Sequence, residues 1–206
     1  MKFIDVLKLT PLYDWWKRGC YSQYGEDKVI NEVFSGQKKG FYVEVGAYHP
    51  KVFSNTYGLY KKGWQGICID PNPEVGKLFN YVRPRDVFVN CGVASLRSQI
   101  SDLRHQTAKH LEYFVFEEGA TNTFSEKNAE ESVKMGRKLI KKIRVPVKSL
   151  VQILEENLPR GKVIDLLSVD AEGMDLEVLK SNNWQKYLPK VVVCEELQDS
   201  GVIENY

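Results

Sequence analysis

The chain has 206 residues, 43% of them hydrophobic and 27% charged, a composition typical of a single globular domain with a full core. A formal net charge of +2 is too small to indicate nucleic acid binding by itself. No apolar run approaches the roughly 20 residues that cross a bilayer, and the four cysteines lack metal-binding CxxC spacing. We therefore expect a cytoplasmic protein with buried, reduced thiols, no transmembrane segment and no nucleic acid partner.

The N-terminal stretch FIDVLKLTPLYDWWKRG predicts an amphipathic helix that is interrupted near Pro11. Its aromatic face, with Tyr13, Trp15 and Trp16, could dock on the body of the domain or touch a membrane surface. Because the flanking basic residues are few, we expect docking on the domain itself.

Strand and helix patterns alternate along the first half of the chain. Three apolar runs predict strands: GFYVEVG, GWQGICID and DVFVNCGV. One stretch before the first strand and two stretches between the strands predict helices: GEDKVINEVFSG, TYGLYKK and PEVGKLFNYV. Ser54 or Asn55 could cap the second helix, and Asn72 with Pro73 could begin the third. This alternation predicts parallel strands joined by right-handed crossovers.

The second half is less regular at first. EYFVFEEG predicts a strand, ATNTFS a loop, and SEKNAEESVKMGRKLIKKIR a polar helix in which Gly136 is unfavourable. Alternation then resumes with IRVPV, LVQILEENL (Ser149 and Gln152 forming a capping box), VIDLLSVD, GMDLEVLKS and KVVVCEE. We predict a doubly wound, mostly parallel α/β sheet. Ligands should bind outside the C-terminal strand ends. Those ends are the turns after Glu44, Asp70, Asn90, Asp170 and Glu195.

The turn after the first strand, EVGAYHP, has one glycine, Gly46, where dinucleotide sites usually have two or three. Ala47, Tyr48, His49 and Pro50 follow it, and proline offers no N–H to a pyrophosphate. S-adenosylmethionine has no phosphate. Its binding site needs one tight turn, an acidic side chain for the ribose hydroxyls and a flat slot for adenine.

The other strand ends offer groups for those roles. Asp70 is placed to accept both ribose hydroxyls, and Glu44 could orient the turn or the ligand's ammonium. Asn90, Cys91 and Gly92 end the third strand, where the adenine edge would lie. The same pattern recurs by chance in many α/β proteins. Glu44 could equally be a capping acid, and Asp70, which precedes Pro71, a turn former.

The chain resembles the FkbM-type methyltransferases. The matching segments run in the family's order from about Ser22 to Glu195. They are SQYGEDKVI, GFYVEVGAYHPKVFSNTYGLYKKGWQGICIDPNP, RPRDVFVNCGVAS, NTFS and IDLLSVDAEGMDLEVLKSNNWQKYLPKVVVCE. The resemblance implies a class I (Rossmann-like) S-adenosylmethionine-dependent methyltransferase. Family members commonly O-methylate hydroxyls, often on sugars or polyketide-like products.

The resemblance also implies site residues. Ser22 and Gln23 would cover the methionyl end of the cofactor, while SNT (54–56) and DAEG (170–173) would lie near the reaction centre. The whole expected cofactor set is Ser22, Gln23, Glu44, Gly46, Ala47, Tyr48, Asn55, Asp70, Pro71, Asn90, Cys91, Gly92 and Asp170.

Deprotonation of an acceptor hydroxyl needs a base, and four residues are candidates: His49, Asp170, Glu172 and Glu195. We expect His49, Asp170 and Glu172 to be the catalytic residues. Packing of the turn before Pro50 remains an alternative role for His49. A divalent metal held by the acids is an alternative that we do not predict.

The family fold continues beyond VVVCEE with a further helix and a strand pair, whereas eleven residues follow Glu195 here. We expect one methyltransferase domain, 1–206, with an N-terminal helical segment (1–21) and a catalytic core (22–206). Either the sheet of this core is short, or the core is truncated at its C-terminus. An uncovered valine-rich edge would favour a homodimer. Two alternatives remain open: a non-catalytic partner domain, and an oxidoreductase whose NAD ribose would bind Asp70.

Overall fold

The computed structural model describes residues 8–95 and 110–194. The eight described strands are β1 (Phe41–Val45), β2 (Gln65–Ile69), β3 (Val87–Val89), β4 (Gly92–Val93), β5 (His110–Phe116), β6 (Leu139–Lys148), β7 (Leu166–Val169) and β8 (Val191–Cys194). The seven described α-helices are α1 (Pro11–Lys17), α2 (Glu26–Val33), α3 (Tyr57–Lys61), α4 (Gly76–Val82), α5 (Glu126–Lys134), α6 (Leu150–Asn157) and α7 (Asp175–Lys180).

The central sheet has five strands in the order β3-β2-β1-β7-β8, and all its pairings are parallel. All five residues of β1 are buried, as expected for a parallel strand with both faces covered. Val43 points to the face on which α6 packs, and Tyr42 points to the face covered by α2 and α3. This arrangement confirms the predicted doubly wound parallel sheet, and it places the C-terminal ends of β1, β2 and β7 side by side.

A second sheet of three strands, β4-β6-β5, lies beside the first. The predicted third strand is divided: β3 ends at Val89 and pairs with β2, whereas β4 pairs with β6. The predicted polar helix was wrong in its second half. The helix α5 ends before Gly136, whose φ of +84° stops it, and residues 139–148 form β6 instead. Antiparallel pairing of β6 with β5 overrides the helical propensity of this segment.

The N-terminal helix α1 is attached to the domain by one side only. Tyr13 packs against the core, and the buried Lys51 Nζ donates to the backbone oxygens of Leu9 and Thr10. Trp15 and Trp16 remain 77% and 67% exposed, so the expected docking holds for Tyr13 and not for the tryptophans. Within residues 8–95 and 110–194, every helix is too short or too polar to cross a bilayer.

Candidate active site

The turn after β1 approaches the turn after β7 so closely that only glycine fits. Gly46 has φ +78°, and its N–H donates to the carbonyl of Ile69 at 3.0 Å. A Cβ atom placed on Gly46 would lie 1.7 Å from the carbonyl oxygen of Asp170. Gly46 therefore allows the C-terminal ends of β1, β2 and β7 to lie close together.

The carboxylate of Asp70 is held in place by two backbone N–H groups. Its Oδ1 accepts from Asn72 N at 2.7 Å, and its Oδ2 accepts from Tyr48 N at 2.8 Å. Burial raises the pKa of Asp70 to about 6, against the opposing effect of these two hydrogen bonds. Each oxygen can accept further hydrogen bonds, and the side chain lines the cavity above the strand ends.

The first cavity has a volume of about 70 Å³. One wall comes from the central sheet, through Gly46, Asp70, Pro71 and Asp170. The opposite wall comes from β5 and the segment that follows it. Its residues are Tyr113, Gly119, Ala120, Asn122, Thr123 and Phe124.

A second cavity of about 310 Å³ adjoins the first and shares part of its lining. Gln23, Phe53, Ala120, Asp170 and Glu172 line both cavities. The remaining lining of the second cavity is largely polar and includes Glu26, Asn55, Thr121 and Arg137. Asp170 and Glu172 thus lie at the boundary between the two cavities.

A model of the methyltransferase FkbM domain matches residues 44–201, more than half of the chain. The chain belongs to the FkbM methyltransferase family. No curated protein and no solved structure matches it. The matched region contains both walls of the first cavity, so the cavity belongs to the FkbM domain.

The fold brings most of the expected site residues to the two cavities. The first cavity is lined by Gln23, Gly46, Tyr48, Asp70, Pro71, Cys91, Gly92, Asp170 and Glu172. Asn55 lines the second cavity, where its Nδ2 donates to Ser168 Oγ at 3.1 Å. Ser22, Glu44, Ala47, His49 and Asn90 line neither cavity. Glu195 lies outside the described residues.

Glu44 faces the interior of the FkbM domain. Its Oε2 lies 3.2 Å from Nη1 of the fully buried Arg83, and it accepts from Thr56 Oγ1 at 2.7 Å. Its Oε1 accepts from Ser54 Oγ at 3.1 Å. This placement favours a role in holding the loop 54–56 over the expected role of contacting the cofactor.

Three other expected residues support local backbone structure. Ser22 Oγ donates to Asp27 Oδ1 at 2.7 Å, close to the start of α2. His49 Nδ1 accepts from the backbone N–H groups of Lys51 and Val52, each at 3.1 Å. These contacts commit Nδ1 as an acceptor, which favours the turn-packing alternative for His49. Asn90 Nδ2 donates to the backbone oxygen of Asp70 at 2.9 Å.

The residues of the opposite wall are not among the site residues expected from the sequence. Tyr113 and Phe124 pack with their ring centroids 4.8 Å apart, and Asn122 Oδ1 accepts from Phe116 N. Thr123 Oγ1 donates to the backbone oxygen of Glu172, which joins this wall to the turn after β7. The segment NTFS was a signal of the wall, because it was among the segments resembling the family, although its pattern predicts only a loop.

Among residues 8–95 and 110–194, no group of three or more His, Cys, Asp or Glu side chains is arranged to hold a metal ion.

Proposed function

We propose that this FkbM methyltransferase transfers a methyl group from S-adenosylmethionine to a hydroxyl of a sugar, a glycan or a related metabolite. The observation that carries the proposal is the pairing of Gly46 with Asp70 at one cavity. Gly46 lets the turn after β1 pack directly against the Asp170 carbonyl beside the cavity, and Asp70 presents a carboxylate already fixed by two N–H groups. An adenosyl ribose fits these residues, because its two hydroxyls can donate to that carboxylate.

The bound cofactor would supply a methyl group activated by its sulfonium. The residues of the chain then have to hold the acceptor oxygen in line and accept its proton. Asp170 and Glu172 line both cavities, so they are our candidates for these two tasks. The largely polar lining of the second cavity supports an acceptor with many hydroxyl groups.

Asp70→Ala should weaken S-adenosylhomocysteine binding by about 10–100-fold, because hydrogen bonds to a charged partner contribute roughly 1.5–3 kcal/mol. Calorimetric titration measures the change. The control is Glu74→Ala, which removes an exposed acid of the same loop and should leave the affinity unchanged. Equal affinities of wild type and folded Asp70→Ala would remove Asp70 from the site.

The affinity for S-adenosylhomocysteine should also rise as the pH increases through about 6. Burial raises the pKa of Asp70 to about 6, so the carboxyl is protonated below that pH and cannot accept both ribose hydroxyls. Well below pH 6 the affinity should fall by up to about tenfold per pH unit. Titrations from about pH 5 to about pH 8 test this, and Asp70→Asn should flatten the profile. A flat wild-type profile would contradict the assignment.

Asp170→Asn should lower methyl transfer by about 10²–10⁴-fold while leaving S-adenosylhomocysteine affinity within about threefold, if Asp170 is the base. The substitution keeps the shape of the side chain and removes its charge. Turnover is measured on acceptors found by screening free sugars, nucleotide sugars and lipid-linked glycans. Glu130→Gln, on the exposed side of α5, is the matched control. Wild-type turnover in Asp170→Asn would transfer the role to another residue.

The alternatives predict different ligand responses. An NAD-dependent oxidoreductase should be stabilised against heating by NAD, and the proposed methyltransferase by S-adenosylhomocysteine. A non-catalytic partner domain should fail to methylate every acceptor in the screen even when it binds the cofactor product.

A further inference from the structure

The N-terminal helix α1 carries an apolar surface that the proposed reaction does not use. We call Leu12, Trp15 and Trp16 the aromatic platform; these side chains are 60%, 77% and 67% exposed. Large exposed apolar patches on soluble proteins often mark sites of interaction with other proteins or with membranes. None of the residues of α1 is buried, so the helix has most of its surface available.

The aromatic platform is held rigidly against the domain. Lys51 Nζ, on a side chain only 4% exposed, lies 3.0 Å from Asp14 Oδ2 and donates to the backbone oxygens of Leu9 and Thr10. Tyr13 packs against the core from the same helix. The tryptophans therefore point outward from a fixed helix.

Two cations end the helix that carries the platform. Lys17 and Arg18 end α1, and Lys17 Nζ lies 5.9 Å from the centre of the Trp16 ring. The acid of the helix, Asp14, is paired with Lys51 and faces inward. The positive charge beside the platform therefore comes from Lys17 and Arg18.

We propose that the aromatic platform docks on an anionic lipid surface. Tryptophan favours the boundary between headgroups and acyl chains, and nearby Lys and Arg are attracted to anionic lipids. A second copy of the chain fits less well, because its own α1 offers the cations no unpaired acid: Asp14 is paired with Lys51.

The test is flotation of the full chain with vesicles of phosphatidylcholine, with and without a share of phosphatidylglycerol. The wild type should bind the anionic vesicles and bind pure phosphatidylcholine much less. Lys17→Glu with Arg18→Glu should lower the partition coefficient by at least about tenfold. Trp15→Ser with Trp16→Ser should lower it by roughly tenfold or more. Both double variants change exposed or half-exposed side chains and should keep the wild-type melting temperature.

Tyr81→Ser is the matched control, since Tyr81 is 78% exposed on α4, outside the platform, and should bind as the wild type does. Absence of wild-type binding to anionic vesicles would overturn the proposal, as would unchanged binding of the tryptophan double variant. Analytical sedimentation tests whether a second copy of the chain occupies the platform instead. Self-association of the wild type that the tryptophan double variant abolishes, without any vesicle binding, would assign the platform to a second copy.

Discussion

Replacing Arg83 by methionine should lower the free energy of unfolding by about 3–5 kcal/mol, because it would leave buried carboxylates without their cation. The Arg83 side chain is fully buried. Its Nη1 lies 3.2 Å from Glu44 Oε2, and its Nε lies 2.6 Å from Asp86 Oδ2. Its Nη2 also donates to Thr56 Oγ1 at 2.8 Å. Methionine would fill much of the space but satisfy none of these acceptors.

Urea unfolding followed by circular dichroism measures the loss. Arg160→Met is the matched control, since Arg160 is exposed after α6 and its replacement should change stability by less than about 0.5 kcal/mol. Adding Glu44→Gln and Asp86→Asn to Arg83→Met should restore part of the loss, because these changes remove the two stranded charges. Equal stability of wild type and Arg83→Met would show that the ion network contributes little.

Gly46→Ala should lower the free energy of unfolding by at least about 3 kcal/mol and abolish S-adenosylhomocysteine binding. The left-handed φ of +78° is unfavourable for alanine. The new methyl group would lie 1.7 Å from the Asp170 carbonyl oxygen, so the turns after β1 and β7 would have to separate. Separation of these turns would displace Asp170 and change the shape of the first cavity.

Gly36→Ala is the control for Gly46→Ala. A Cβ atom on Gly36 would have no neighbour within 4 Å, and its φ lies outside the left-handed region. We expect this change to be close to neutral in thermal unfolding and in calorimetric titration. A Gly46→Ala protein that melts with the wild type and binds S-adenosylhomocysteine normally would refute the steric argument.

The central sheet could be predicted because its strands carry their own signal. Runs such as FYVEV and LLSV are apolar on both faces, which is required where helices cover both sides of a parallel sheet. The position of Gly46 and Asp70 beside the first cavity could be predicted as well, because they directly follow β1 and β2. The same reasoning failed for Asn90, which follows β3 and lines neither cavity.

The partners of Glu44 and the identity of β6 could not be predicted in this way. Arg83 meets Glu44 across 39 residues of sequence, and only the packed fold shows that the acid turns inward. Residues 139–144 have helical propensity, and they form a strand because β5 pairs with them residue by residue. His49 lies at the expected turn, but the two N–H groups that occupy its Nδ1 depend on the path of residues 50–52.

The two walls of the first cavity meet through main-chain atoms of the turn after β7. Thr123 Oγ1 and Asn128 Nδ2 both donate to the backbone oxygen of Glu172, at 3.2 and 3.1 Å. These bonds do not use the carboxylate, so they can persist when another side chain stands at position 172. The side chain at position 172 can therefore change without loss of these two bonds, among the residue types that tolerate its φ of +48°, whereas replacing Thr123 or Asn128 would remove one of them.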